Sequence, residues 1–173
     1  MPDVFAVHDA AKVRVFGRPE VLDGLRQPSA TLVGRIAPDE VIYVGEPGEA
    51  GRIVEDVEGQ LGDRLARCLV VDHTDGWSFH SVVGPDVGDL FRMMAQWKLP
   101  ETSGETIFTV GSVCHCAGKV FVRPGRIDVL TGTEVRAWVD HDLEHLGHFI
   151  GAHRVAAPTS DPIGVRSEGV SVQ

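Results

Sequence analysis

The sequence predicts an α+β fold: mostly antiparallel sheets with helices packed on them, arranged as two split βαβ halves of the ferredoxin-like kind. Three observations lead there. Apolar residues switch between strand period and helix period in the order strand–helix–strand–strand–helix, and then strand–strand–helix–strands–helix. Short Gly-, Pro- and Asp-containing turns separate successive strands, which favours antiparallel neighbours. A chain of 173 residues with 43% hydrophobic content fills one core of ordinary size. Residues 1–153 are therefore expected to form a single α+β domain and 154–173 a flexible tail or partner-binding arm. No sequence repeat links the two halves.

The first strand is expected at "AKVRVFG", where Val13, Val15 and Gly17 alternate with Arg14 and Phe16. Pro19 suits the first turn of a short helix running through Leu25. "ATLVGRI" and "DEVIYVG" follow as a hairpin split by Ala37-Pro38-Asp39. From Glu46 the period changes: Ile53, Val54, Val57 and Leu61 recur at helical spacing among Glu49, Glu55, Asp56 and Glu58, and Gly62 is a natural stop.

"RCLVVDH" reads as a buried strand, and Asp75-Gly76 is a strong hairpin signal because glycine accepts the positive φ of such a turn. On the return strand Trp77, Phe79, Ser81 and Val83 share one face, with Ser78, His80 and Val82 on the other. Gly84-Pro85-Asp86 then opens a helix that sets Val87, Leu90, Phe91 and Met94 on one side. After a loop holding Pro100 and Gly104, "TIFTVGSVCHC" and "KVFVRPG" read as strands joined by Ala117-Gly118, with "RIDVLTG" as the next strand. The last helix carries a capping box, Thr131 with Glu134, and an apolar stripe of Val135, Trp138, Val139, Leu143, Leu146, Phe149 and Ile150.

Charge narrows the function. With 16 Lys+Arg against 25 Asp+Glu, a formal charge of −9, there is no basic stripe for a phosphate backbone, so nucleic acid is not an expected partner. The three cysteines lack a framework spacing, which favours a reducing compartment. Asp3, His8 and Asp9 interrupt the apolar run a signal peptide needs, and no other apolar run approaches membrane-spanning length. A soluble cytoplasmic protein is expected.

Several residue clusters invite a chemical reading. Asp72, Asp75 and Asp86 fall at a strand end, in a turn and in a first helical turn, where carboxylates serve structure. His141, His145 and His148 in "DHDLEHLGHFIGAH" stand at i, i+4 and i+7, a spacing that can hold a metal, and three imidazoles suffice for a catalytic zinc. The dipole at a helix C-terminus favours the same residues without a ligand, so no metal is expected there. Asp142 lies within the apolar stripe and needs a partner, either a nearby loop or solvent, or an ion pair across a subunit interface. "CHC" places Cys114 and Cys116 on one strand face and His115 on the other, poor geometry for gripping one ion, so buried free thiols are expected. "GEPGEAG" carries acids where an anion site wants bare amides, and there is no nucleophile elbow or Ser-His-Asp order. No catalytic residue, cofactor-binding residue or metal ligand is singled out.

Taken together, "AKVRVFGRPEVLDGL", "RIAPDEVIYVGEPGEAGRIVEDVEGQL", "VVDHTDGWSFHSVVGPDVGDLF" and "RIDVLTGTEVRAWVDHDLEHLG" resemble the gamma subunit of heterotetrameric sarcosine oxidase over about residues 10–148. The motifs are Pro38-Asp39-Glu40 before an apolar strand, the Asp72-His73-Thr74-Asp75-Gly76 turn, Gly84-Pro85 before a helix, and Ile127-Asp128-Val129-Leu130 before the closing helix. The resemblance implies a fold related to the folate-binding aminomethyltransferase, the glycine-cleavage T protein. It implies an accessory, non-catalytic subunit of a flavin-dependent complex that oxidatively demethylates sarcosine or a related N-methyl amine. FAD, FMN, NAD and tetrahydrofolate are then implied in larger partner flavoprotein subunits, with no cofactor assigned to this chain. The rival readings are a small stand-alone metalloenzyme or folate-dependent methyl or formaldehyde carrier using His141, His145 and His148, and a ligand-sensing module.

Overall fold

The computed structural model describes residues 2–85, 87–95, 97–150, 153–160 and 162–164, and for 146–150 and 153 the backbone alone. In chain order the elements are β1 (Asp3–Ala6), β2 (Ala11–Phe16), α1 (Pro19–Leu22), β3 (Thr31–Ala37), β4 (Glu40–Gly45), α2 (Ala50–Leu61), β5 (Leu69–Asp72), β6 (Trp77–Val83), α3 (Val87–Met94), β7 (Ile107–Val113), β8 (Cys116–Arg123), β9 (Arg126–Gly132), α4 (Arg136–Ile150) and β10 (His153–Arg154). They form an α+β fold with two sheets and helices packed on them. Two compact units divide the chain, one made of Met1–His8 and Asp75–Ala157, the other of Asp9–Thr74 and Pro158–Gln173.

The second of these units is a β–α–β–β–α–β run whose sheet has the order β3-β4-β2-β5, with every pairing antiparallel. That is the ferredoxin-like arrangement the sequence predicts for one half. The alternation in β2 buries Val13 and Val15, and α2 buries Ile53, Val57 and Leu61 against them, together with Val41 and Tyr43. Each such side chain removed from water stabilises by about 1.5–3 kcal/mol. The helix sits so close to β4 that a Cβ on Gly45 would lie 2.8 Å from Ile53 Cδ1, so a larger residue there would have to displace the Ile53 side chain. Gly62 ends α2 at φ 51°, as the period change predicts. Within 158–164, part of the stretch expected as a tail or arm, Ile163 is buried and its amide donates to Glu46 Oε1 at 3.1 Å. Residues 165–173 of that stretch lie outside the described residues.

The other unit holds a six-stranded sheet of order β10-β1-β6-β9-β8-β7, antiparallel except where β1 runs parallel to β10. α3 buries Val87, Leu90, Phe91 and Met94, the face its spacing predicts, and α4 buries Val139 and Leu143 into the same core beside Val82, Val120, Ile127 and Val129.

Several local expectations are corrected. Asp75-Gly76 is not a hairpin turn: β5 pairs with β2 in one sheet, β6 pairs with β1 and β9 in the other, and Thr74–Gly76 is a short 3-10 turn in which Gly76 takes no positive φ. β5 is also a half-exposed edge strand rather than a buried one, with Leu69 58% exposed. The β7–β8 turn falls at Cys114 and His115, both left-handed at φ 48° and 61°, and not at Ala117-Gly118. The capping box at Thr131 does not form, because Thr131 is a buried β9 residue opposite Ser78 and a 3-10 turn at Thr133–Val135 precedes α4. Trp138 leaves the predicted stripe and stays 57% exposed, its indole N–H donating to the Cys114 carbonyl at 3.2 Å.

Candidate functional site

The opening strands bring together residues that are far apart in sequence. β1 and β6 pair with Ala6 opposite His80, and the ladder continues one step with the Val7 amide donating to the Phe79 carbonyl at 2.9 Å. Two residues beyond Ala6, His8 falls diagonal to His80 on the same face, within reach for large side chains. Their rings meet edge to face with centroids 5.2 Å apart. α4 crosses that face and sets the Asp140 carboxylate 3.1 Å from His80 Nε2. Arg136 and Arg154 approach the same carboxylate at 3.8 and 3.5 Å, and Arg154 also reaches Glu144 at 3.7 Å.

His80 lies in a strand flanked on both sides and is 1% exposed. Burial pushes its pKa down to about 4, against the opposing pull of Asp140, and the neighbouring His8 and Arg136 push the same way as burial. The ring is therefore neutral at pH 7. Its Nε2–H donates to Asp140, and its buried Nδ1 lone pair has no hydrogen-bond partner among the described residues. An imidazole held neutral by burial and oriented by a carboxylate can relay a proton or ligate a metal.

A second polar cluster lies in the same unit. Asp128, fully buried on β9 opposite Ser81 of β6, accepts from Ser81 Oγ at 2.5 Å, from Arg126 Nε at 2.8 Å and from Arg123 Nε at 3.0 Å. Arg126 also donates to Ser81 Oγ at 2.8 Å and lies over the Phe5 ring. The Asp128 carboxylate is thus matched by one hydroxyl and two guanidinium groups, the pattern of a structural ion cluster.

The residues singled out from sequence are placed as follows. Asp72 Oδ1 accepts from the Thr74 amide at 3.0 Å and the Thr74 hydroxyl at 2.6 Å, a local turn bond, while Asp75 is exposed with its carbonyl accepting from Thr133 Oγ1 at 2.7 Å. Asp86 lies outside the described residues. His141 and His145 are exposed and stacked with centroids 6.1 Å apart, and the His148 side chain lies outside the described residues. Asp142 is partly exposed, 3.7 Å from His141 Nδ1. Cys68, Cys114 and Cys116 are all free thiols. Burial, with Asp142 and Cys116 adding to it, pushes Cys114 up to about 12, and burial with Asp142 and Glu134 raises Cys116. An open cleft of about 610 Å³ lies in the other unit, lined among others by Phe16, Arg18, Asp39, Arg67, Cys68 and Leu69.

No family model and no curated protein matches this chain. Solved structures do. The fold is similar to a chain of the heterotetrameric sarcosine oxidase of Corynebacterium sp. U-96, solved with pyrrole 2-carboxylate, at TM-score 0.71 and 16% identity, covering 90% of this chain and 88% of that one. It is also similar to the glycine cleavage system aminomethyltransferase T of Bartonella henselae, at TM-score 0.65 and 11% identity, covering 99% of this chain and 52% of that one. The chain thus spans about half the length of the aminomethyltransferase. At these identities the likeness shows a shared fold, the α+β arrangement of the aminomethyltransferase type.

Among the described helices none is long and apolar enough to cross a membrane.

Proposed function

We propose that this chain is an accessory, gamma-type subunit, without an active site of its own, in a heteromeric flavin-dependent complex that oxidatively demethylates sarcosine or a related N-methyl amine. The observation that carries this reading is extent: the chain corresponds nearly end to end to one chain of a heterotetrameric sarcosine oxidase, whereas it covers only about half of the aminomethyltransferase. The ordered motifs from Pro38-Asp39-Glu40 to Ile127-Asp128-Val129-Leu130 support it. In this reading FAD, FMN, NAD and tetrahydrofolate belong to the partner subunits.

The test is purification of the tagged chain from its own cells, followed by flavin absorbance, mass spectrometry of the co-eluting chains, and sarcosine-dependent oxygen uptake. Co-elution with flavoprotein chains in fixed stoichiometry, with activity in the assembly and none in the separated chain, is expected. Turnover of an N-methyl amine by the chain alone, or elution free of any flavoprotein, overturns the reading.

A further inference from the structure

Three donors converge in the unit that contains β6: one ring nitrogen from each of His8 and His80 and a carboxylate oxygen of Asp140, all within 4.8 Å of one another. They come from the turn two residues past β1, the middle of β6 and the body of α4. A tetrahedral zinc with bonds of about 2.0–2.1 Å places its donors roughly 3.3 Å apart. His80 Nε2 and Asp140 Oδ1, at 3.1 Å, already stand at that separation. His8 has to close by at most about 1.5 Å, a movement within the reach of a half-buried side chain rotating about its own bonds.

We propose that His8, His80 and Asp140 hold one divalent transition metal of the zinc class, with water completing its coordination. Two imidazoles and a carboxylate suit zinc and its neighbours, whereas calcium and magnesium prefer all-oxygen shells. A cation between Nε2 and Oδ1 takes the place of the proton those atoms share, and the neutral ring then carries its proton on Nδ1. Arg136 and Arg154 steady the carboxylate from outside. Both are about half exposed, at 48% and 54%, so water screens their repulsion of the cation. The site is separate from the exposed His141 and His145 and does not depend on the subunit assignment.

The experiment uses the full chain, stripped with a chelator and titrated with cobalt(II), then with zinc. One equivalent of cobalt is expected to bind, giving the visible ligand-field bands of a low-coordinate nitrogen and oxygen site, and one equivalent of zinc should displace it. His8→Gln and Asp140→Asn should each weaken binding by more than the roughly 10–100-fold lost when only an outer hydrogen-bond partner of a ligand is removed. The metal-free circular dichroism of both variants should remain that of the parent. The double variant His141→Gln/His145→Gln should bind as the parent does. Failure of the parent to bind stoichiometric cobalt or zinc overturns the proposal. So does binding that survives both His8→Gln and Asp140→Asn, or that disappears in the His141→Gln/His145→Gln variant. Should His8→Gln fail to fold, Asp140→Asn, at a partly exposed position, decides alone.

Discussion

Removing the carboxylate at the centre of the buried ion cluster tests whether the six-stranded sheet is held as described. Asp128→Ala deletes the acceptor for Ser81 Oγ, Arg126 Nε and Arg123 Nε, and removes a buried carboxylate from beside the Arg123 guanidinium, itself 3% exposed. Breaking a buried pair from one side costs about 3–5 kcal/mol, because the remaining charge stays desolvated. Since a whole domain is stable by only about 5–15 kcal/mol, that is a large fraction. Asp128→Asn keeps the shape and one acceptor but loses the charge-assisted character of the bonds, and should cost about 1.5–3 kcal/mol. Replacing the cluster together, Asp128→Leu with Arg123→Met and Arg126→Met, should recover much of the loss, since apolar groups of similar volume often match a buried ion set. The assay is urea unfolding followed by tryptophan fluorescence. All three tryptophans, Trp77, Trp97 and Trp138, lie in the unit containing Asp128, so the signal reports that unit and not the one around α2. A loss below about 1 kcal/mol for Asp128→Ala would refute the reasoning, because it would mean that Arg123 is compensated by water or by another partner and that Asp128 is not what holds the sheet.

Two further outcomes are expected. With its pKa pushed up to about 12 by burial, Cys114 should remain a thiol at pH 8 and react with iodoacetamide on the order of 100-fold more slowly than free cysteine or slower, read by mass spectrometry of timed quenches; labelling at the free-thiol rate would contradict it. Gly125, at φ 67° in the β8–β9 turn, should lose about 1–3 kcal/mol on change to Val, whereas Gly76→Ala, outside the left-handed region, should lose under about 1 kcal/mol in the same urea assay; equal losses would contradict the turn assignment.

The elements legible in sequence are those whose signal is local and repeated. α3 buries the residues its periodicity selects, α2 buries three of its four with Val54 partly buried, and β3 and β4 form the hairpin their proximity predicts. Where one local signal competes with long-range pairing, pairing wins. Asp75-Gly76 has hairpin composition, yet the strand before it is recruited as an edge beside β2 and the strand after it is placed between β1 and β9. Thr131 has the composition of a cap, but its position opposite Ser78 extends β9 through it and moves the helix start to Arg136. β1 is not legible in sequence because its four residues, Asp3–Ala6, begin on a charge and carry too little alternation to separate from a terminus.

The candidate site was illegible for a related reason. Its densest sequence rival, His141 with His145, puts two imidazoles at i and i+4, which a helix turns into a visible pair on an exposed face. His80 and Asp140 are separated by 60 residues, and each looks ordinary beside its own neighbours. The register of β1 on β6 places His8, and the crossing of α4 over that sheet face places Asp140. Neither can be computed from a window of sequence. One clue was present: a strand with bulk on both faces, "WSFHSVV", must be central, and a histidine in a central strand must be neutral or paired because burial disfavours its charge. The carboxylate that reaches it comes from the last helix, one of the two helices packed on that sheet. A buried imidazole is thus a stronger pointer to a site than a cluster of exposed ones, since the exposed cluster is solvated at no cost while the buried ring has to be matched by something from another part of the chain.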